Sequence, residues 1–148
     1  MYEGQETVNK MKIKKCIVDI LSRIDGEEMT RTMQGEYRKK ETSHIVVYTD
    51  YTGNTLTKNG MEICGDKMLL HRTGGFEGDM FFDQISDTFV QYGAFPVQSG
   101  FMLHTEKYIL KETQEGIDIF VKYTLYDESG NDTICGEQSI KVYFGEEV

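Results

Sequence analysis

Proline is almost absent from this 148-residue sequence, which contains one proline and fifteen glycines. Because proline interrupts helices and sheet ladders, its scarcity beside abundant glycine predicts long regular elements joined by tight glycine turns. Long apolar runs are also missing, and none approaches the roughly 18 residues of a membrane-spanning helix. The first residues show no basic start followed by an apolar stretch, so they do not resemble a signal peptide, and we expect a cytoplasmic protein.

Cysteines are few and stand far apart, at positions 16, 64 and 135. An odd number of unpaired cysteines argues for reduced thiols and against a disulfide framework. No C-x-x-C occurs, and no histidine, cysteine and carboxylate stand at the spacing of a metal site. We therefore expect no reactive thiol, no metal and no cofactor.

The net charge is −9, which favours solubility and disfavours nucleic acid or anionic lipid as partners. Two basic clusters run against this trend: Lys10, Lys12, Lys14 and Lys15, then Arg38, Lys39 and Lys40. We interpret both as solvated strand faces first, and as a partner site in the alternative. With 39% hydrophobic and 28% charged residues, the composition is that of one folded domain.

Apolar and polar residues alternate with a period of two through most of the chain, most clearly in residues 29–38 and 117–125. The spacing in residues 12–24 also allows a helix, but its β-branched residues and the following Asp25-Gly26 favour a strand and a hairpin. Residues 55–63 indicate a weaker strand, interrupted by Asn59-Gly60. Further strands are predicted at 44–49, 67–72, 76–82, 88–92, 101–110 and 133–144.

This pattern predicts an all-β protein of about 8–10 antiparallel strands. Turn signals every few residues suit either a sandwich or an up-and-down barrel. Long strands and hairpin connections between neighbours favour the barrel, whose closure also removes exposed edges. We expect residues 1–11 to be a flexible segment and residues 12–148 to form a single barrel domain.

A set of residues spread over the chain resembles a known family. It comprises Gly35, Tyr37, Arg72, Gly74, Met80, Phe82, Tyr92, Pro96, Thr105, Gly116, Asp118, Ile119, Tyr123 and Leu125. In order and spacing these residues resemble the YwiB-like family of uncharacterised bacterial proteins over roughly residues 12–144. The sequence departs from that family at Phe95, where threonine is more usual before the proline. The resemblance implies a calycin-like, lipocalin-like barrel and implies no established activity.

Arg72 is the most informative candidate, because it shares a strand face with Met68 and Leu70. If that face points inward, the guanidinium needs a carboxylate, a tyrosine or an anionic ligand. The resemblance to calycin-type fatty-acid carriers implies such an interior arginine. The alternative, favoured by the usual exposure of arginine, is a rim position with Glu77, Asp79 or Glu106 as its partner.

We group seven residues as tentative ligand-binding candidates: Arg72, Tyr37, Met80, Phe82, Tyr92, His104 and Tyr123. Aromatic residues of this kind more often fill a small barrel than line a cavity. His104 is placed on one face of its strand with Met102, Glu106 and Tyr108, and it is more often a surface histidine than a catalytic one.

Three classes of function remain open. The first is a binding module that holds a small, partly apolar or anionic ligand inside the barrel. The second is a structural or protein-interaction domain, monomeric or homodimeric, without a small ligand. The third is an enzyme using Arg72, His71 or His104, which is the weakest because no nucleophile and base are visible.

Overall fold

The protein is described here from a computed structural model, which describes residues 12–52, 54–92, 99–127, 129 and 133–148; of these, the side chains of Thr52, Tyr92 and Ser99 are not described. The predicted flexible segment 1–11 and the Phe95-Pro96 departure lie outside the described residues. Ten strands are present: β1 (Ile13–Ile24), β2 (Glu27–Lys39), β3 (His44–Thr52), β4 (Thr55–Ile63), β5 (Lys67–Gly74), β6 (Gly78–Asp83), β7 (Thr88–Tyr92), β8 (Ser99–Glu112), β9 (Gly116–Tyr126) and β10 (Ile134–Glu147).

All ten strands form one antiparallel sheet in the order β6-β5-β4-β3-β2-β1-β10-β9-β8-β7. The sheet curls until its two outer strands meet. The Thr88 hydroxyl donates a hydrogen bond to the Phe81 carbonyl at 2.7 Å, and Gly78 approaches the Gln91 carbonyl so closely that a side chain there would collide with it. The molecule is therefore a nearly closed barrel, which confirms the predicted class and strand number.

The hairpin predicted at Asp25-Gly26 is confirmed. Both residues have positive φ, 50° and 86°, as a two-residue type I′ turn requires. The Asp25 carboxylate also accepts a hydrogen bond from the backbone N–H of Cys135 at 3.0 Å. This strong turn signal thus joins two long neighbouring strands, β1 and β2, at one end of the barrel.

Two details of the predicted strands differ from the structure. β4 passes through Asn59 and Gly60 without interruption, because both remain in register with β3 and β5. β6 begins at Gly78 and not at residue 76. Phe76 instead donates its N–H to the Thr57 hydroxyl at 3.2 Å, so the preceding residues form a longer turn across the barrel end.

The prediction that His104 and Tyr108 share a strand face is wrong. The register between β8 and β9 shifts between Thr105 and Lys107, which marks a β-bulge. Because a bulge adds one residue, the inward face changes from odd to even positions along β8. Tyr108 is therefore buried, whereas His104 is exposed and does not share its face.

The middle of the barrel is packed with apolar side chains that alternate inward along each strand. The Phe82 ring is fully buried and meets Tyr123 edge to face, with ring centroids 5.2 Å apart. Other buried side chains of this layer are Val18, Val46, Met61, Ile63, Met68, Leu70, Leu103, Ile119, Val121, Ile140 and Val142. The layer separates the two ends of the barrel, and each end has its own cavity.

Candidate functional site: an interior cavity around Arg72

The first cavity lies at the barrel end that carries the Asp25-Gly26 hairpin, and its volume is about 460 Å³. The strand ends that meet there come from β1 to β5, together with parts of β6, β9 and β10. Their inward side chains line it: Ile20, Ser22, Ile24, Glu27, Glu28, Met29, Arg31, Tyr48, Asp50, Thr57, Asn59, Arg72, Phe76, Met80, Tyr123 and Gln138. A volume of this size is typical of small-molecule sites.

Arg72 reaches this cavity because of the alternation along β5. Met68 and Leu70 are buried in the core on the same face, while His71 is exposed on the other. The guanidinium carbon of Arg72 lies 6.0 Å from the centre of the Phe76 ring. Its Nε is buried and has no hydrogen-bond partner among the described residues. The side chain thus presents an unsatisfied donor inside the barrel.

Two of the rim carboxylates considered as partners for Arg72 are engaged elsewhere. Asp79 pairs with His71 on the outer surface, and Glu106 lies 3.7 Å from Lys122. No ion pair involves Arg72 in the part of the chain that the structure describes. Its positive charge is therefore not balanced by a contacting carboxylate there.

Three of the neighbouring charged residues, Arg31, Asp50 and Glu28, differ from Arg72 because each has a charged partner. Arg31 forms an ion pair with Asp50, whose side chain is 13% exposed. Glu28, at the cavity entrance, accepts a hydrogen bond from Arg23 at 2.6 Å. Glu27 is exposed at the same entrance. Among the described residues that line the cavity, Arg72 is thus the cation without an ion-pair partner.

Tyr48 adds a hydroxyl to the site. Burial raises the pKa of Tyr48, and the positive charges of Arg72 and Arg31 oppose this rise. The phenol is consequently protonated at neutral pH, and a protonated phenol can donate a hydrogen bond. Asn59 and Gln138 are buried polar neighbours of the same cavity.

Of the seven candidate residues, the structure brings three together in this cavity: Arg72, Met80 and Tyr123. Phe82 lies behind Tyr123 in the packed layer and does not line the space. The side chain of Tyr92 lies outside the described residues.

The other two candidates are elsewhere. Tyr37 stands at the opposite end of the barrel, where it is hydrogen-bonded to His44 at 2.7 Å. His104 is exposed on the outer surface and bonds Asp87 at 2.8 Å. Neither touches the Arg72 cavity, so the candidate group divides between two ends and the surface.

The sequence reasoning missed Arg31, Asp50, Asn59 and Gln138 as cavity residues. The sequence did contain a signal for Arg31, since the period-two alternation of β2 places it on the same face as the inward Met33 and Tyr37. Asn59 was interpreted as a turn residue. No group of three or more histidine, cysteine, aspartate or glutamate residues suited to a metal is found among the described residues.

The fold and the cavity define a class of protein: a ten-stranded antiparallel barrel with a mixed polar and apolar interior cavity at one end. A family profile for a domain of unknown function, DUF1934, matches residues 5–140. The chain belongs to this family.

A solved structure supports the same fold. The crystal structure of the ywiB protein from Bacillus subtilis superposes with a TM-score of 0.75 and 17% sequence identity, over 93% of this chain and 97% of that one. The YwiB-like resemblance seen in the sequence is thereby confirmed, and the architecture is consistent with a calycin-like barrel. A search of curated proteins finds no match. Within the described residues, no helix has the length and apolarity to cross a membrane.

Proposed function

We propose that the protein binds a small molecule with an apolar body and one anionic group in the Arg72 cavity. The observation that carries this proposal is that Arg72 lines a cavity of about 460 Å³ without an ion-pair partner among the described residues, while its buried Nε has no hydrogen-bond partner there. A buried donor without a partner costs about 1–3 kcal/mol, and an anionic ligand would remove that cost. The resemblance to calycin-type carriers supports the same proposal, because such carriers bind the anionic group of a ligand with an interior arginine.

The lining indicates how such a ligand is oriented. Its anionic group meets Arg72 and the Tyr48 hydroxyl, both on the β3–β5 side of the cavity. The apolar body contacts Ile24, Met29 and Met80, which have no polar hydrogen-bonding groups. Arg31 is held by Asp50, so it contributes less to recognition of the anion.

Two fluorescent probes test this arrangement, because they differ mainly in charge. Anilinonaphthalene sulfonate carries a sulfonate on an aromatic body, and N-phenylnaphthylamine is its uncharged relative. The wild-type protein is expected to bind both, with fluorescence enhancement on titration. Arg72→Met should weaken sulfonate binding roughly tenfold or more, the worth of a hydrogen bond to a charged group. It should leave the affinity for the neutral probe unchanged.

A matched control separates the site from overall charge. Arg38 is exposed on the outer face of β2, so Arg38→Met removes the same charge away from the cavity. It should bind both probes like the wild type. Failure of the wild type to bind either probe, or equal sulfonate affinity in Arg72→Met and Arg38→Met, would overturn the proposal. Native mass spectrometry before and after solvent extraction then identifies any molecule that co-purifies with the wild type and not with Arg72→Met.

A second candidate function is a protein-interaction domain, as a homodimer. Ile85, in the segment before β7, is 87% exposed, and Phe89, on β7, is 66% exposed. Such exposure of apolar side chains favours a contact surface. Analytical ultracentrifugation tests this candidate: a dimer that dissociates in Phe89→Ser would support it, and a monomer at micromolar concentration would exclude it.

The three free cysteines, Cys16, Cys64 and Cys135, support a cytoplasmic location, which cell fractionation would test.

A further inference from the structure

A second cavity, of about 370 Å³, opens at the opposite end of the barrel. It is lined by Lys12, Lys14, Tyr37, Lys39, His44, Glu112, Thr113, Ile117 and Phe144, and it shares none of these residues with the Arg72 cavity. We call this space the lysine mouth. It is independent of the function proposed above, because the packed layer lies between the two ends.

The strand register brings the two basic clusters of the sequence together here. Lys14 on β1 pairs with Tyr37 on β2, so Lys12 and Lys39 come to the same end of the barrel. Lys14 and Lys39 continue the inward alternation of Cys16 and Tyr37, whereas Lys15 and Arg38 point outward. Three ammonium groups therefore border one cavity in a protein whose net charge is −9.

The three lysines are weakly compensated. The Lys12 ammonium lies 3.7 Å from a Glu147 carboxylate oxygen, and both side chains are more than half exposed. The Lys14 ammonium lies 5.3 Å from the centre of the Phe144 ring. No ion pair involves Lys14 or Lys39 in the described ranges. At least two cations at this mouth are therefore available to an anion.

Glu112, the carboxylate among the described residues that line the lysine mouth, is bonded to a histidine. Glu112 contacts Nε2 of His44 at 2.6 Å, and Nδ1 of His44 contacts the Tyr37 hydroxyl at 2.7 Å. Phe144 stacks on Tyr37 with ring centroids 4.2 Å apart, which fixes the inner end of this chain. Glu112 is thus bonded to His44, and among the described residues it forms no ion pair with a lysine of the mouth.

We propose that the lysine mouth is an anion-binding site for a small, multiply charged oxyanion of the phosphate or polycarboxylate type. Lysine binds such groups as a point charge, without demanding the planar geometry that arginine requires. Tyr37, Ile117 and Phe144 form the wall against which a compact ligand rests. The Glu112 charge opposes the ligand, so it limits the affinity of the site.

The test uses pyrophosphate and citrate as probes, by isothermal titration calorimetry on the full chain at low ionic strength. Lys14→Gln/Lys39→Gln should lower the affinity for the bound probe by about fivefold or more. The matched control is Lys15→Gln/Arg38→Gln, which removes two positive charges from the outward positions next in sequence. It should bind nearly as tightly as the wild type. Whichever probe binds better identifies the chemistry of the oxyanion.

A third variant is expected to act in the opposite direction. Glu112→Gln keeps a side-chain oxygen that can accept the His44 hydrogen bond while it removes the negative charge, so the affinity for the probe should rise several-fold. Arg72→Met should leave it unchanged, which separates this site from the ligand cavity. Absence of binding of both probes, or an equal loss in both double variants, would overturn the proposal. Urea unfolding of each variant ensures that the comparison is between folded proteins.

Discussion

Replacement of Arg72 by methionine is expected to make the ligand-free barrel more stable while it removes anion binding. Methionine reaches as far as the Nε position and has no polar hydrogen-bonding group, so it replaces the aliphatic part of Arg72 in the cavity wall beside Met80 and Phe76. The Nε of Arg72 is buried without a hydrogen-bond partner among the described residues. A donor in that state costs about 1–3 kcal/mol of stability, which the substitution recovers.

The gain is partly offset. The guanidinium carbon lies 6.0 Å from the Phe76 ring centre, and a cation over an aromatic ring at this distance contributes about 0.5–1 kcal/mol. The expected net change is an increase of about 1 kcal/mol in the free energy of unfolding. For a chain of this length that raises Tm by roughly 2–4 °C.

Urea denaturation should be measured on protein refolded from denaturant, because a co-purified ligand would add its own stabilisation to the wild type. Arg31→Met is the matched control: it breaks the ion pair with Asp50, whose side chain is largely buried, and should destabilise by about 1–3 kcal/mol. A loss of stability in Arg72→Met equal to that in Arg31→Met would refute the reasoning. The guanidinium would then be a structural part of the barrel and not a group reserved for a ligand.

Three further substitutions and modifications test the packing. Phe82→Ala should lower the free energy of unfolding by about 3–5 kcal/mol, since Phe82 is fully buried. Phe81→Ala, on the outer face, should lower it by about 1 kcal/mol or less, and urea titrations compare the two variants. Gly116→Ala should destabilise the β9–β10 pair, because its Cβ would collide with a backbone carbonyl of β10, and thermal unfolding would show a lower Tm. Burial raises the pKa of the Cys16 thiol to about 11, so at about pH 8 maleimide should label exposed Cys135 and spare Cys16, as peptide mass spectrometry would report.

The period-two alternation predicted the barrel well because each strand has one buried face. The start and end of β4, from Thr55 to Ile63, agree with the predicted range. The inward face of β5 was left open by the sequence, because the apolar Leu69 stands between Met68 and Leu70 and the alternation is broken there. The two faces of a strand are set by neighbouring residues, so a short stretch of sequence is enough to show the alternation where it is unbroken.

The membership of the site was harder to predict, because alternation gives the face of a residue and not its depth along the barrel axis. Tyr37 and Arg72 both face inward, yet they lie at opposite ends. Depth depends on the stagger between strands, which is a property of the closed sheet. The shared face predicted for His104 and Tyr108 was wrong for a related reason: the bulge after Thr105 changes the alternation, and a bulge leaves no distinct signal in a single sequence.

The packed layer between the two cavities has a consequence for any ligand. Phe82, Ile119 and Val142 are essentially inaccessible to solvent, and no residue is common to the two linings. A molecule in the Arg72 cavity is therefore limited to one end of the barrel and cannot thread through it. The charges at the two ends also act separately, since Lys14 and Arg72 line different cavities at opposite ends of the barrel. The two proposed ligands are therefore expected to bind independently, with the affinity for one unaffected by the other unless the packed layer itself rearranges.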